Sequence, residues 1–182
     1  MKLEIAKLSK VPQAQFVSFW CAQYYYDLEH LYDDNIDQPL TEDSVWDLYK
    51  WKNGTVKIAA KKQKSIRSVY LPELARIPSL TTLHDGQDYL TKIAGGAIWN
   101  IFWIHCINPR LFPIFDQHTY RSMAEIDSLK QAEITSAHKK KIDVYFKQYI
   151  PFTKKFIGIC ARDLDKALFA YGRFLKKGFS GK

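Results

Sequence analysis

The amino-acid sequence predicts an all-α protein, and three observations carry that prediction. Apolar residues recur at spacings of three and four along most of its 182 residues. Caps and stops suited to helices fall at the ends of those periodic runs. The strand signal is confined to Val56-Lys57-Ile58, too short to define a strand. The sequence shows no internal repeat, heptad run or low-complexity tract. Many short helices argue against a simple four-helix bundle.

The elements follow in order. Ser9-Lys10-Val11-Pro12 predicts a helix entrance, because proline is tolerated in a first turn. Phe16, Trp20, Tyr24, Leu28 and Leu31 then predict one helix face, broken by residues 33–39. Thr41 is the predicted N-cap of the next helix, with Glu42 and Asp43 at the positive end of its dipole. Val45, Leu48 and Tyr49 form its apolar stripe, and Asn53-Gly54 supplies a left-handed stop. Residues 55–72 carry Lys57, Lys61, Lys62, Lys64 and Arg67 and no acid, with Ile58, Ile66, Val69 and Tyr70 as apolar partners. Pro72 and Pro78 bracket a turn-like segment, and His84-Asp85-Gly86 marks the next break. A helix is predicted from about Gln87 to about Ala94. Gly95-Gly96 separates it from a second helix ending near Ile107. That second helix is apolar on all sides and is therefore expected to be central. Two prolines make residues 108–115 a loop. Further helices are predicted at 117–125, 136–149 and 151–160. The last runs from 162 to 177, with Leu164, Leu168, Tyr171 and Leu175 inside and Lys176-Lys177-Gly178 as its end.

Composition narrows the function classes. A hydrophobic share of 47% excludes a disordered chain. The length suits a single compact helical domain over 1–182 that needs no metal or disulfide to hold a core. Cys21, Cys106 and Cys160 form no CxxC pair, which argues against a zinc ribbon; their apolar neighbours predict buried, reduced thiols. Met1-Lys2-Leu3-Glu4 shows no signal-peptide core. The longest uncharged run, 93–109, contains Gly95, Gly96, Asn100, His105 and Asn108 and reads as a buried helix, not a membrane span. The expectation is a cytoplasmic protein that does not enter a membrane. No two histidines sit at metal-ligand spacing, so neither a metal nor another cofactor is expected. With 27 Lys+Arg against 19 Asp+Glu, the formal charge is +8. That favours an anionic partner, DNA above all, although the same charge also serves solubility alone.

The most informative stretch is Lys92 to Met123, KIAGGAIWNIFWIHCINPRLFPIFDQHTYRSM. A glycine hairpin between helices leaves backbone amides free at the second helix's N-terminus, where they and the dipole suit a phosphate. Asp116 follows an apolar run and opens a helix. Phe115-Asp116-Gln117-His118-Thr119-Tyr120-Arg121 matches the pattern Val-Asp-x-His-x-Phe-Arg of the helix-hairpin-helix DNA glycosylase superfamily, of the 8-oxoguanine glycosylase and endonuclease III kind. Ile93-Ala94-Gly95-Gly96-Ala97 resembles that superfamily's Ile/Leu-Pro-Gly-x-Gly hairpin, with Ala94 in place of the proline and Ala97 in place of the second glycine. Trp51-Lys52-Asn53-Gly54 and residues 162–172 also look like uncharacterised bacterial relatives. The resemblance implies a helix-hairpin-helix glycosylase-like fold of two small helical lobes, with the hairpin and aspartate motif (residues 87–125) at their cleft.

It also implies roles. Asp116 matches the aspartate that stabilises an oxocarbenium-like sugar or helps to activate water. Bifunctional members carry a lysine nucleophile where this chain has Ile98 or Trp99, neither of which forms a Schiff base. Only monofunctional hydrolysis of the N-glycosidic bond of a flipped base is then implied. Gly95, Gly96, Ala97, His118 and Arg121, with Lys57, Lys61, Lys62, Lys64 and Arg67, are the candidate nucleic-acid-binding residues. Each has a plainer reading. Asp116 suits a helix N-cap, Gly95 and Gly96 suit close helix packing, and His118 suits a structural bond. The basic segment suits a solvated helix face, and Tyr24-Tyr25-Tyr26 suits either a stacking site or core and rim. The alternative functions are a non-catalytic nucleic-acid binder that retains the fold, and a basic module for a protein partner.

Overall fold

The structure, a computed structural model, describes residues 11–131 and 133–179; Ser9 and Lys10 of the predicted helix entrance lie outside the described residues. Helices, turns and loops make up the described chain, with no strand among the described residues. The chain divides into two compact units. One is drawn from the described residues up to Tyr25, Phe115–Ala137 and the chain from Asp143 onward; the other comprises Tyr26–Ile114 and His138–Ile142.

The second unit contains α2 (Glu29–Asp33), α3 (Glu42–Asn53), α4 (Ala60–Ser65), α5 (Leu83–Lys92) and α6 (Ala97–Ile107). Its first strong signal holds: Thr41 caps α3 in a reciprocal box with Ser44, at 2.8 and 3.2 Å. Gly54 closes α3 at φ 78°, a conformation costly for any residue with a Cβ. After α4 the chain widens into a π turn over Ile66–Tyr70 and then tightens into a 3₁₀ turn over Leu71–Arg76. The centre of the unit is aromatic. Tyr32 packs on Trp51 at 4.6 Å, Trp51 stacks on Phe102 at 5.6 Å, and Tyr49 stacks on Tyr70 at 4.6 Å. Such pairs each add about 1 kcal/mol beyond the area they bury. As expected, α6 is buried all round from Asn100 to Cys106. Its two polar side chains are satisfied. Asn100 accepts from the Tyr70 hydroxyl at 2.8 Å. His105 bonds the Phe112 carbonyl at 2.7 Å through Nδ1 and the Tyr32 hydroxyl at 2.8 Å through Nε2. A carbonyl only accepts, so Nδ1 carries the proton and Nε2 accepts from Tyr32.

In the first unit, α1 (Gln13–Ala22) and α7 (Gln117–Ile126) pack on the long α10 (Ala161–Phe179). α8 (His138–Val144) starts in the second unit, and a π turn over Tyr145–Tyr149 in the first joins it to α9 (Ile150–Thr153). Leu164, Leu168, Tyr171 and Leu175 form the buried face of α10, as the periodicity predicts. Glycine lets the helices touch. A Cβ on Gly172 would overlap the backbone carbonyl of His118, and nearby Ser122 Oγ donates to the Leu168 carbonyl at 2.5 Å.

Several predicted elements are corrected. Pro12 is the residue before α1 rather than part of its first turn. The helix predicted to run through Leu31 ends at Ala22, and α2 is separate. The helix before the hairpin starts at Leu83, not near Gln87. Thr82 and Asp85 form a reciprocal capping box at 3.1 and 2.8 Å, so His84-Asp85-Gly86 is a first turn and not a break. Gly86 is needed inside that helix because the Phe112 ring occupies the space of a Cβ. The helix predicted over 151–160 stops at Thr153, and Gly158 turns left-handed at φ 73°. α10 continues past Gly178 to Phe179. Of the three thiols only Cys106 is fully buried, and burial pushes its pKa up; Cys160 is exposed and Cys21 half-buried. No helix among the described residues is long and apolar enough to cross a membrane.

Candidate functional site

The hairpin residues lie in the second unit. Gly95 adopts φ 111°, and a Cβ there would meet Asn100 Oδ1 at 2.8 Å and the Tyr70 hydroxyl at 3.2 Å. Gly95 is thus fixed by backbone conformation and by close packing at once. Gly96 is different. It precedes α6 in an extended conformation, offers no side-chain cap, and has no atom within 4 Å of where a Cβ would stand. A Cβ at Gly96 would thus stand in open space at the positive end of an eleven-residue helix that no side chain caps. Ala97 itself is buried and contributes only its backbone. Ile98 and Trp99, which follow it, carry no amine. The Trp99 ring packs on Tyr49 at 4.9 Å, and its carbonyl accepts from the Tyr49 hydroxyl at 3.2 Å.

Asp116, in the first unit, caps α7. Its Oδ1 accepts from the His118 amide at 2.8 Å and the Thr119 amide at 3.1 Å. Thr119 Oγ1 returns the contact to the Asp116 amide at 3.0 Å. The carboxylate is half-buried and rigidly oriented. Behind Thr119 lies the fully buried Tyr149. Burial first, then the charges of Asp165 and Asp116, hold its phenol well above the ordinary pKa, so it stays protonated.

Arg121 is corrected as a nucleic-acid contact. It is 4% exposed, and its guanidinium is already engaged. Nε and Nη2 donate to Glu133 at 3.1 and 2.7 Å, and Nη1 donates to the Gly172 carbonyl at 3.0 Å. Nη1 also lies 3.3 Å from His118 Nδ1, which must accept because arginine only donates. Arg121 thus ties α7 to α10 and to the following loop.

His118 is half-buried, with its ring edge-on to Phe169 at 5.0 Å. Burial lowers its pKa, opposed by the Asp116 charge and reinforced by that of Arg121. The sign follows directly. Below the unfolded imidazole value of about 6.5, the unfolded chain binds a proton that the folded chain resists. Stability is therefore whole above that value and lost as the pH falls below it. Urea midpoints taken from about pH 7.5 to about pH 5.5 are expected to fall less steeply in His118→Gln than in the parent chain. Parallel curves would remove His118 from the acid response.

The basic segment is acid-free in sequence but not in space. Lys57, Lys61, Lys62, Lys64 and Arg67 are all exposed. Lys62 reaches Asn53 Oδ1 at 2.7 Å and sits 5.4 Å over the Trp99 ring. Arg67 lies 5.3 Å over Trp46, in a cavity of about 570 Å³ that Asp43, Asp47 and Lys50 also line. Asp47 pairs with Lys50 at 2.8 Å. Two carboxylates from α3 thus offset the positive potential around Arg67, which weakens it as a phosphate contact. Sequence reasoning missed this cavity and the Glu133 partner of Arg121, because nothing in linear spacing joins them. Among the described residues no group of three His, Cys, Asp or Glu is placed to hold a metal ion. Comparison with protein-family profiles, curated proteins and solved structures gives no match to this chain.

Proposed function

We propose that the chain binds DNA through the Gly95-Gly96 hairpin, has a helix-hairpin-helix glycosylase-like fold, and excises a flipped base by hydrolysis. One observation carries the reading: the N-terminus of α6 has no side-chain cap, follows a left-handed glycine, and leaves the Gly96 Cβ position empty. Asp116 supplies the chemistry. The C1′–N bond breaks with its electron pair leaving on the base, and the fixed carboxylate stabilises the cationic sugar. Water then adds to C1′ and gives up a proton, and the departing base takes one up. Ile98 and Trp99 offer no amine for a covalent step, so strand cleavage by a lyase route is not part of the proposal.

The second reading is a binder without chemistry. It is favoured by the two amide bonds that Asp116 Oδ1 accepts, since capping alone accounts for them.

The binding test is Gly96→Asp. Aspartate is a good N-cap and meets no atom there, so thermal stability is expected to hold or rise by a few tenths of a kcal/mol. The new carboxylate stands where a phosphate would sit. Affinity for a duplex carrying a stable abasic-site analogue is expected to fall about tenfold. Across a salt series the parent chain is expected to prefer that duplex over the intact one and to lose affinity as salt rises. Unchanged affinity in Gly96→Asp, or no binding at low salt, would sink the proposal.

A further inference from the structure

In the first unit, the C-terminal end of α1, the residues just after it, and α10 enclose a groove of about 270 Å³. Trp20, Tyr24 and Tyr25 line it on one side, and Phe169, Arg173 and Phe174 on the other. Among the described residues, no Asp or Glu lines it. Tyr25 is 76% exposed and Phe174 48%, and the adjacent Phe19 is 59% exposed. Leaving three large aromatic side chains in water opposes the hydrophobic effect, and such a patch marks a binding surface.

Cations are interleaved with these rings. Arg162, Lys166, Phe169, Arg173 and Lys176 follow spacings of four, three, four and three, which puts them on one stripe of α10. Lys166 lies 5.5 Å over the Tyr24 ring and Arg173 5.8 Å over Phe169; Arg162, 5.7 Å over Tyr24, is already paired with Asp165. The exposed Tyr25 and Phe174 side chains beside Arg173 and Lys166 are what an unpaired strand needs. Every base has a π-face to stack, and every linkage carries a negative charge.

We infer that this groove binds a single-stranded stretch of DNA, with bases stacked on Tyr25 and Phe174 and phosphates facing Arg173 and Lys166. The choice of DNA over RNA or an acidic peptide rests on the proposed function; the groove itself does not. It lies within the first unit, and the hairpin belongs to the second, so the two can fail separately.

The experiment is fluorescence anisotropy with three labelled probes of equal length: oligo-dT, the same backbone with every base replaced by an abasic analogue, and oligo-U. The full chain is expected to bind oligo-dT more tightly than either other probe. Tyr25→Ala and Tyr25→Leu are both expected to weaken oligo-dT binding about tenfold, because leucine restores apolar area but not stacking. Arg173→Gln is expected to flatten the salt slope by about one phosphate contact. Both positions are exposed, and far-UV circular dichroism checks that the variants fold. A parent chain that binds oligo-dT but no duplex at low salt supports the groove and sinks the hairpin proposal. The inference is overturned by no binding of oligo-dT at low salt, by equal affinity for the abasic backbone, or by oligo-U binding as tightly. Parental affinity in Tyr25→Leu overturns it too, and points to a generic apolar surface for a protein partner.

Discussion

Gly172→Ala is expected to destabilise the chain by about 3 kcal/mol, against the usual trend for this substitution. In an exposed helix interior, alanine for glycine gains about 1 kcal/mol. Here the added Cβ would overlap the His118 carbonyl, which is backbone and cannot rotate aside. Relief requires α7 and α10 to separate. Separation stretches the Arg121 bond to the Gly172 carbonyl and the Ser122 bond to the Leu168 carbonyl, both buried. For a chain of this size the loss corresponds to a fall in Tm of about 6–12 °C. A thermal melt followed by circular dichroism measures it. An unchanged or raised Tm would mean that the two helices do not meet at van der Waals contact there.

Asp116→Asn is the decisive substitution for the proposed chemistry, because it separates the two roles of one side chain. Asparagine keeps an acceptor for the His118 and Thr119 amides, so stability is expected to stay within about 0.5 kcal/mol of the parent. Asp116→Ala loses the cap and is expected to cost about 1 kcal/mol. On the excision reading both variants lose the charge that meets the cationic sugar. Single-turnover release of base from a susceptible duplex is then expected to fall at least about a hundredfold in each. Activity retained in Asn and lost only in Ala would make Asp116 a cap and nothing more.

Legibility in the sequence followed the range of each interaction. Thr41, Gly54 and the inner face of α10 are encoded within a few residues of themselves, and the structure has them where the pattern put them. The run Phe16, Trp20, Tyr24, Leu28, Leu31 misled because its even spacing spans a change of unit. Trp20 and Tyr24 pack on Tyr171 and Phe169 of α10, whereas Leu28 and Leu31 pack with the core around Trp51. Two cores share one stripe, and periodicity alone does not reveal the joint. The start of α5 was legible and missed: Thr82 and Asp85 have the spacing of a capping box, but the following glycine drew the boundary too late. At the candidate site, the cap formed by Asp116 was readable from residue type and position. The burial of Arg121 was not, since its acid partner is in a loop and its carbonyl partner is on α10, 51 residues away. The pairing of Tyr25 with Arg173, 148 residues distant, was equally out of reach; the Arg173 guanidinium donates to the Tyr25 carbonyl at 3.4 Å.

That last separation bears on how the molecule is made. Residues 26–114 emerge from a ribosome as a nearly self-contained stretch, and their unit can gather its core while synthesis continues. The segment ahead of them has no such partner nearby: α1 must wait for α10, the final helix of the described chain. Its closure carries the entropy of a loop about as long as the chain itself, which makes it the slow, late event of folding. Until then Phe16, Trp20 and the underside of α7 remain unburied. A nascent or truncated chain lacking α10 would present that surface to chaperones and to other copies of itself. A stop codon ahead of Ala161 would thus remove more than one helix; it would take away the main surface on which α1 packs.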